Sequence, residues 1–340
     1  MAEAFLTLSK DDRREVLGVA ASASGRPPHI LEKDVWVVWA LDALFGSALG
    51  EHLVFKGGTS LSKAYKAIRR FSEDVDLTYD IRQLAPDLVG NAKDALPPTR
   101  SQEHRWTSEI RRRLPLWVSE TALPIINARL AETNAPAKAL SETDKIFIAY
   151  EPIAAGTGYV RPEVMLEFGA RSTGEPSAVL DITCDAAVSI KDILFPTARP
   201  RVMRAERTFW EKTTAIHVFC AQRRLRGERF ARHWHDVVRL DDIGIAATAI
   251  ADRDLARAVA RHKGMFFAEK DTEKREIDYH AAVNGGLRLV PEGDALKILA
   301  DDYGAMIGDG LFFEEPEAFD ALMTRCREIE RRANHGGRVA

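Results

Sequence analysis

His52-Leu53-Val54-Phe55-Lys56-Gly57-Gly58-Thr59-Ser60-Leu61, followed after one short helix by Arg70-Phe71-Ser72-Glu73-Asp74-Val75-Asp76-Leu77, is the stretch on which the rest of the chain turns. Leu53 to Phe55 is a short apolar run that reads as a buried strand, and Gly57-Gly58 let the backbone turn sharply and approach a ligand closely. A helix is expected next, capped by Thr59 or Ser60, with its first N–H groups aimed at an anion over the glycines. Asp74 and Asp76 stand two apart on a second expected strand, with Val75, Leu77 and Tyr79 around them. Side chains alternate along a strand, so both carboxylates fall on one face. Carboxylates that close repel each other, and the usual resolution is a shared divalent cation such as Mg²⁺. A phosphate cradle beside a metal pair is a phosphoryl-transfer site.

Neither half is specific by itself. Gly-Gly is common at strand-to-helix turns, and Asp-x-Asp is often a solvated face. Their order and nearness point to chemistry, because a metal needs the nucleotide's phosphates beside it.

With 340 residues the chain can bury a real core in one large or two modest domains. Hydrophobic content of 46% and charged content of 29% are those of a soluble globular protein. No apolar run approaches a membrane span, and the start, Met1-Ala2-Glu3-Ala4-Phe5, lacks the basic region and apolar core of a signal peptide, so a cytoplasmic protein is expected. Cys184, Cys220 and Cys326 are odd in number and far apart, which indicates neither a disulfide framework nor a zinc site. The net charge of −3 gives no global pull on nucleic acid. Arginines do cluster at 111–113, 223–232 and 331–332, as a phosphate-tracking strip or as solvated helix faces paired with acids.

In chain order, Ser9 caps an expected helix over 9–24, and Val35, Val38, Leu41, Leu44 and Phe45 recur at helical spacing along a second expected helix over 30–46, with Trp36 and Trp39 as core. The stretch from Asp80 to Pro98 reads as an exposed insertion, 101–131 as helix interrupted at Pro115 and Pro124, and Asn134 to Lys138 as a turn. Lys145–Tyr150 and Val164–Phe168 are expected strands. Glu167 interrupts the apolar run of the latter and is costly to bury unless a cation meets it. Arg171 either contacts a triphosphate or closes an ion pair. Val179–Thr183 reads as a further strand, with Asp181 and Asp185 as competing acids. Thr208 and Glu211 have the spacing of a capping box. His233 and His235, two apart on a helix, diverge by about 200° and cannot share one metal ion.

The glycine turn, the helix and the Asp-x-Asp strand resemble the signature of the DNA polymerase β-like nucleotidyltransferases. Phe55-Lys56-Gly57-Gly58-Thr59-Ser60-Leu61-Ser62-Lys63-Ala64-Tyr65, the Arg70 to Leu77 stretch and Leu31-Glu32-Lys33-Asp34-Val35-Trp36-Val37-Val38 are similar to the AbiEii/AbiGii-type toxin nucleotidyltransferases of bacterial abortive-infection systems. Leu166-Glu167-Phe168-Gly169-Ala170-Arg171-Ser172, Arg207-Thr208-Phe209-Trp210-Glu211-Lys212 and the segment around His233 and Asp236 extend the resemblance, which runs from about residue 30 to 333.

The resemblance implies an α+β fold: a polymerase β-like nucleotidyltransferase domain with a small mixed sheet over 1–204, then an all-α C-terminal domain over 205–340, with the active site between them. It implies Asp74 and Asp76 as catalytic metal ligands on Mg²⁺ or Mn²⁺, with Glu167 as the candidate third acid, ranked ahead of Asp181, the choice between the two being open. Lys56, Gly57, Gly58, Thr59, Ser60, Ser72 and Arg171 are then the nucleotide-binding candidates. Lys212 offsets the charge of a nucleoside triphosphate, and Asp236 either orders Lys212 or acts on the acceptor hydroxyl. The implied acceptor is RNA, foremost the 3′ end of tRNA, and the implied partner a separately encoded antitoxin. Two readings stand beside it: transfer to a protein or small-molecule hydroxyl, and a non-catalytic nucleotide-binding module. Which of the four bases is used, and the oligomeric state, have no motif in this sequence.

Overall fold

The computed structural model describes residues 3–70, 72, 74–92, 94–154, 160–224, 229–308 and 312–336. The chain divides into two compact units, one made of residues 1–64, 73–91 and 105–203, the other of 65–72, 92–104 and 204–340.

The first unit is built on a mixed sheet with seven strands among the described residues: β1 (Leu53–Lys56), β2 (Asp74–Tyr79), β3 (Ala137–Glu142), β4 (Lys145–Tyr150), β5 (Glu163–Gly169), β6 (Ser177–Val179) and β7 (Arg201–Met203). Their spatial order is β3-β4-β5-β2-β1-β7-β6. β2 runs parallel to β5 and β1 parallel to β7, while the other neighbours are antiparallel. The period of two decides the faces. Val75, Leu77, Ile146, Ile148, Val164 and Leu166 are fully buried, whereas Asp74, Asp76, Lys145, Phe147, Met165 and Glu167 take the opposite, partly open face.

Helix α1 (Lys10–Ser24) starts where Ser9 Oγ accepts the Asp12 N–H at 3.1 Å and stops at Gly25, whose φ of 72° few other residues tolerate. α2 (Pro28–Phe45) packs on α1, on β5 and on α5 (Leu123–Glu132), and its Leu31, Val35, Val38, Leu41 and Leu44 are fully buried. Trp36 and Trp39 are core, as their spacing predicts: they meet edge to face at 5.7 Å, and Trp36 stacks on Tyr150 at 5.3 Å. α3 (Gly57–Lys63) follows β1 directly.

Four local expectations need correction. The stretch after Asp80 is not simply an exposed insertion, since it forms two short helices, Ile81–Leu84 and Pro86–Val89, and buries Ile81, Val89 and the Ala85 between them. Pro115 lies inside α4 (Arg100–Trp117) and Pro124 near the start of α5, and neither ends the helical run; the irregularity falls between them, in a single wide turn, Val118–Ala122. Ala137 and Lys138 are not a turn but the start of edge strand β3, joined to β4 by a tight turn at Thr143, φ 53°. The strand expected over 179–183 ends at Val179, and Ile182–Thr183 pairs instead with Thr197–Ala198.

The second unit is mainly helical: α6 (Ala205–Gln222), α7 (Arg232–Asp242), α8 (Ile245–Ala251), α9 (Arg253–Phe266), α10 (Asp294–Gly308) and α11 (Phe319–Gly336). α6 packs on α7, α8 and α9 through the fully buried Trp210 and Trp234, whose indole N–H groups donate to Ala249 O at 2.9 Å and Leu289 O at 2.6 Å. Arg70 belongs to this unit, bridged antiparallel to Phe312, with the Phe313 N–H donating to Arg69 O at 3.0 Å. Thr208 is no cap. α6 begins three residues earlier, at Ala205, so the Thr-x-x-Glu spacing falls within the helix, and Glu211 pairs with Arg207 at 3.1 Å. Among the described residues no helix is long and apolar enough to cross a membrane.

One pH dependence follows from this unit. Burial, then the nearby Arg288, pushes the His217 imidazole down to about 4, and its Nδ1 accepts the Arg288 N–H at 3.1 Å. An unfolded chain takes up this proton near 6.5 and the folded chain does not, so stability falls as pH drops from 6.5 towards 4, by about 1.4 kcal/mol per pH unit for each such group. Burial lowers His233 and His235 as well, with the same sign. Urea unfolding at a series of pH values between 7 and 4 should show this slope, and His217→Asn should reduce it by about one proton. A slope unchanged in the variant would contradict the assignment.

Candidate functional site

In the first unit the site begins at the end of β1. Lys56 is extended, and Gly57 then turns with φ 80°. A Cβ at Gly57 would lie 2.0 Å from Asp76 Oδ2, so only glycine lets the Asp76 carboxylate sit against the turn. The expected cap by Thr59 or Ser60 does not form, because α3 already starts at Gly57, with Lys56 as its N-cap and no side-chain cap bond. Both hydroxyls are buried and serve backbone carbonyls instead: Thr59 Oγ1 donates to Asp74 O at 2.5 Å and Ser60 Oγ to Gly57 O at 2.9 Å. The first bond pins the start of β2 to α3. Lys63 at the other end of α3 pairs with Asp34 of α2 at 2.5 Å and with Asp185 at 2.8 Å, and Arg26 also meets Asp185. Asp185 is therefore a structural acid.

Strand register lays out the partly open face. Lys56, Asp76, Glu167 and Lys145 stand opposite one another across β1, β2, β5 and β4, and Asp74, Met165 and Phe147 form the next row. Asp74 and Asp76 share this face, with Val75 and Leu77 buried on the other. Glu167 neighbours Asp76, and its cation is Lys145 at 3.0 Å, which in turn lifts the Lys145 ammonium above its usual range. The three acids do not close into a cluster. Among the described residues no group of three or more His, Cys, Asp or Glu side chains is placed to hold a metal ion. Asp181 lies off the sheet, 79% exposed and paired with Arg199 at 2.9 Å. Ser72 and Arg171 are half-buried. Phe71 and Glu73 of the same motif lie outside the described residues.

A divalent ion still fits the donor set. Hard carboxylate oxygens suit Mg²⁺ or Mn²⁺, and Mg²⁺ is usually held by one or two carboxylates together with substrate phosphates. Asp74 and Asp76 on one face beside the glycine turn meet that need without a third acid.

The second unit holds a separate charged cluster. Asp236 on α7 is fully buried. Arg70 donates to it in a fork, Nε to Oδ1 and Nη2 to Oδ2, both at 2.7 Å, and Lys212 of α6 reaches Oδ2 at 2.9 Å. His235 Nδ1 lies 3.3 Å from Oδ1, and its ring packs on Phe312 at 4.9 Å. Burial alone would raise the Asp236 carboxyl; Arg70 and then Lys212 outweigh it and hold it well below the usual carboxylate range. Burial lowers the Lys212 ammonium against the pull of Asp236, and the like charge of Arg70 lowers it further. Arg70 was not among the sequence candidates. It opens the motif that carries the acids, but its partner is 166 residues away and no spacing rule reports such a pair.

In two of the arginine runs acids meet the guanidiniums: Arg112 pairs with Glu109, Arg113 with Asp87, Arg331 with Glu328 and Arg332 with Asp241. Arg226 lies outside the described residues.

The sequence profile of the family described as nucleotidyl transferase AbiEii toxin, type IV toxin–antitoxin system, matches residues 39–325. The chain belongs to the AbiEii nucleotidyltransferase toxin family. The match spans both the glycine turn with its acids and the Arg70–Asp236–Lys212 cluster, so both lie in the family's own sequence rather than in an appended segment. No curated protein matched the chain. Among solved structures it is similar to MenT4, a nucleotidyltransferase toxin of Mycobacterium tuberculosis H37Rv, with 16% identity, a TM-score of 0.39 and coverage of 96% of this chain and 98% of that one. It is also similar to JHP933 of Helicobacter pylori, with 15% identity, a TM-score of 0.37 and coverage of 90% of each chain. AbiEii membership makes this chain a nucleotidyltransferase of the toxin–antitoxin class.

Proposed function

We propose that the chain is a Mg²⁺- or Mn²⁺-dependent toxin of the cytoplasm that transfers a nucleoside monophosphate from a nucleoside triphosphate to a hydroxyl of RNA, foremost the 3′ end of tRNA, and that a separately encoded antitoxin restrains it. The observation that carries this reading is the contact between the Gly57 turn and the Asp76 carboxylate, with Asp74 on the same face. Phosphates at the turn and a cation at the carboxylates are then neighbours, as nucleotidyl transfer requires.

Asp74 and Asp76 would hold the ion, which when bound neutralises phosphate charge. The backbone N–H groups at Gly57 and Gly58 face the phosphates, while Thr59 and Ser60 hold the turn in shape through the carbonyl bonds described above. Lys56 and Arg171 are candidate phosphate contacts, and Ser72 is a further one. In the reaction the acceptor oxygen bonds to the α-phosphorus, the bond from that phosphorus to the bridging oxygen breaks, pyrophosphate leaves with the electron pair, and the hydroxyl proton passes to solvent. Lys212 offsets the charge that develops on the leaving group. Both Asp236 oxygens are engaged by Arg70 and Lys212, which supports its role in ordering Lys212 over a role on the acceptor hydroxyl.

The test is incubation of the purified chain with each of the four α-labelled nucleoside triphosphates, total RNA or lysate protein, and Mg²⁺, with and without a chelator. Label is expected in RNA of tRNA size and is expected to vanish with the chelator. Label in the protein pool, or in neither, would overturn the RNA reading.

A further inference from the structure

We propose that Arg70 is a positioning residue that sets the place of Lys212 by acting through Asp236. The proposal rests on the reading above that Lys212 serves nucleotidyl transfer.

A lone carboxylate paired with a lone ammonium can swing, because an ammonium is a point charge with rotatable donors. Arg70 removes that freedom. Its planar fork takes both oxygens at 2.7 Å and so fixes the plane of the Asp236 carboxylate, not only its position. Lys212 binds the same Oδ2 that Arg70 Nη2 binds, so the ammonium is placed by an oxygen already held. Arg70 is itself held: its backbone is bridged to Phe312, and the Phe312 ring packs against His235, whose Nδ1 faces Oδ1. All of these groups lie in one unit, and Arg70, Lys212, His235 and Asp236 are buried.

Arg70 also acts on charge, in the opposite sense. Among the described residues the groups that act on the Lys212 ammonium are Asp236, which favours its proton, and Arg70, Arg232 and the imidazole of His233. Burial keeps His233 neutral at ordinary pH, so it adds no charge there. Arg70 therefore orients the anion that retains the proton while repelling the proton directly. Substitutions separate the two effects. Arg70→Lys keeps the charge and loses the fork; Arg70→Gln loses both.

The test uses full-length protein carrying ¹³Cε-labelled lysine, with the Lys212 signal assigned by its loss in Lys212→Arg, and reads the Lys212 titration by NMR beside kcat and KM for the nucleotide. In Arg70→Gln the Lys212 titration should move to higher pH, and kcat should fall by about 10²-fold with KM little changed, the loss that follows small misplacement of a reacting group. Arg70→Lys should lose a similar share of kcat while Lys212 titrates close to its wild-type pH. A purely structural salt bridge predicts instead that both variants lose stability and that the folded protein keeps its wild-type kcat, which would overturn the proposal. If Arg70→Gln fails to fold, Arg70→Lys decides: wild-type kcat there overturns it. Full activity in Lys212→Met would sink the role of Lys212 in transfer, and the titration would still report whether Arg70 governs that group.

Discussion

Asp76→Asn is expected to lower nucleotidyl transfer by about 10²- to 10³-fold while the protein stays folded, the loss typical when one charge-stabilising group is removed from a reacting centre. The substitution keeps the shape of the side chain, removes its charge and turns one acceptor oxygen into an N–H donor. Asp76 stands directly beside Glu167 in the strand register, and like charges in that position repel, so neutralising one of them should not unfold the sheet. Gly57→Ala attacks the same contact from the other side. It leaves every charge in place, but its Cβ would fall 2.0 Å from Asp76 Oδ2, at a φ of 80° that strains a non-glycine residue by about 1 to 3 kcal/mol. The carboxylate must move, and activity should fall as far as in Asp76→Asn. Initial rates of label transfer, with circular dichroism to confirm folding, check both. If either variant were folded and fully active, the Gly57–Asp76 contact would not be the centre of the site.

The parts of the fold that were legible in the sequence are those governed by short-range rules. Ser9 and Gly25 mark the ends of α1, the helical spacing of Val35, Val38, Leu41 and Leu44 gives the buried face of α2, and alternation places Asp74 and Asp76 together. Where the reading failed, one local pattern had two physical meanings. Thr-x-x-Glu at 208–211 is a capping box at a helix start and an ordinary spacing inside a helix, and only the position of Ala205 distinguishes them. Thr59 and Ser60 suit a cap, but a helix that begins on Gly57 turns their hydroxyls to carbonyls within reach. β3 is short, partly polar and at a sheet edge, so it is a strand because β4 supplies its hydrogen bonds and not through its own composition. Glu167 signalled the need for a cation, yet Lys145 is set opposite it by register, which a single strand does not encode. Arg70 is the extreme case. It reads as part of the acid motif, and it belongs to the other unit.

Asp236→Ala is expected to destabilise the second unit by about 3 to 5 kcal/mol, because it leaves the buried Arg70 and Lys212 without their common anion. Against a typical total of about 5 to 15 kcal/mol, that loss brings the unit close to unfolding at ambient temperature. The same pair makes the wild type acid-sensitive. Asp236 is held well below the unfolded value of about 3.9, so its contribution is complete above that pH and is lost as pH falls towards the folded value. Urea unfolding of the wild type and the variant measures the difference, and equal midpoints would show that the cluster does not hold the unit together. Loss of activity in Asp236→Ala cannot by itself separate a reacting role from a structural one. The triple variant Arg70→Met, Lys212→Met, Asp236→Leu can, since replacing a whole buried ionic cluster by apolar side chains is often neutral or stabilising. If that variant regains the wild-type unfolding midpoint and still transfers no label, the charges are kept in the interior for nucleotidyl transfer and not for the fold.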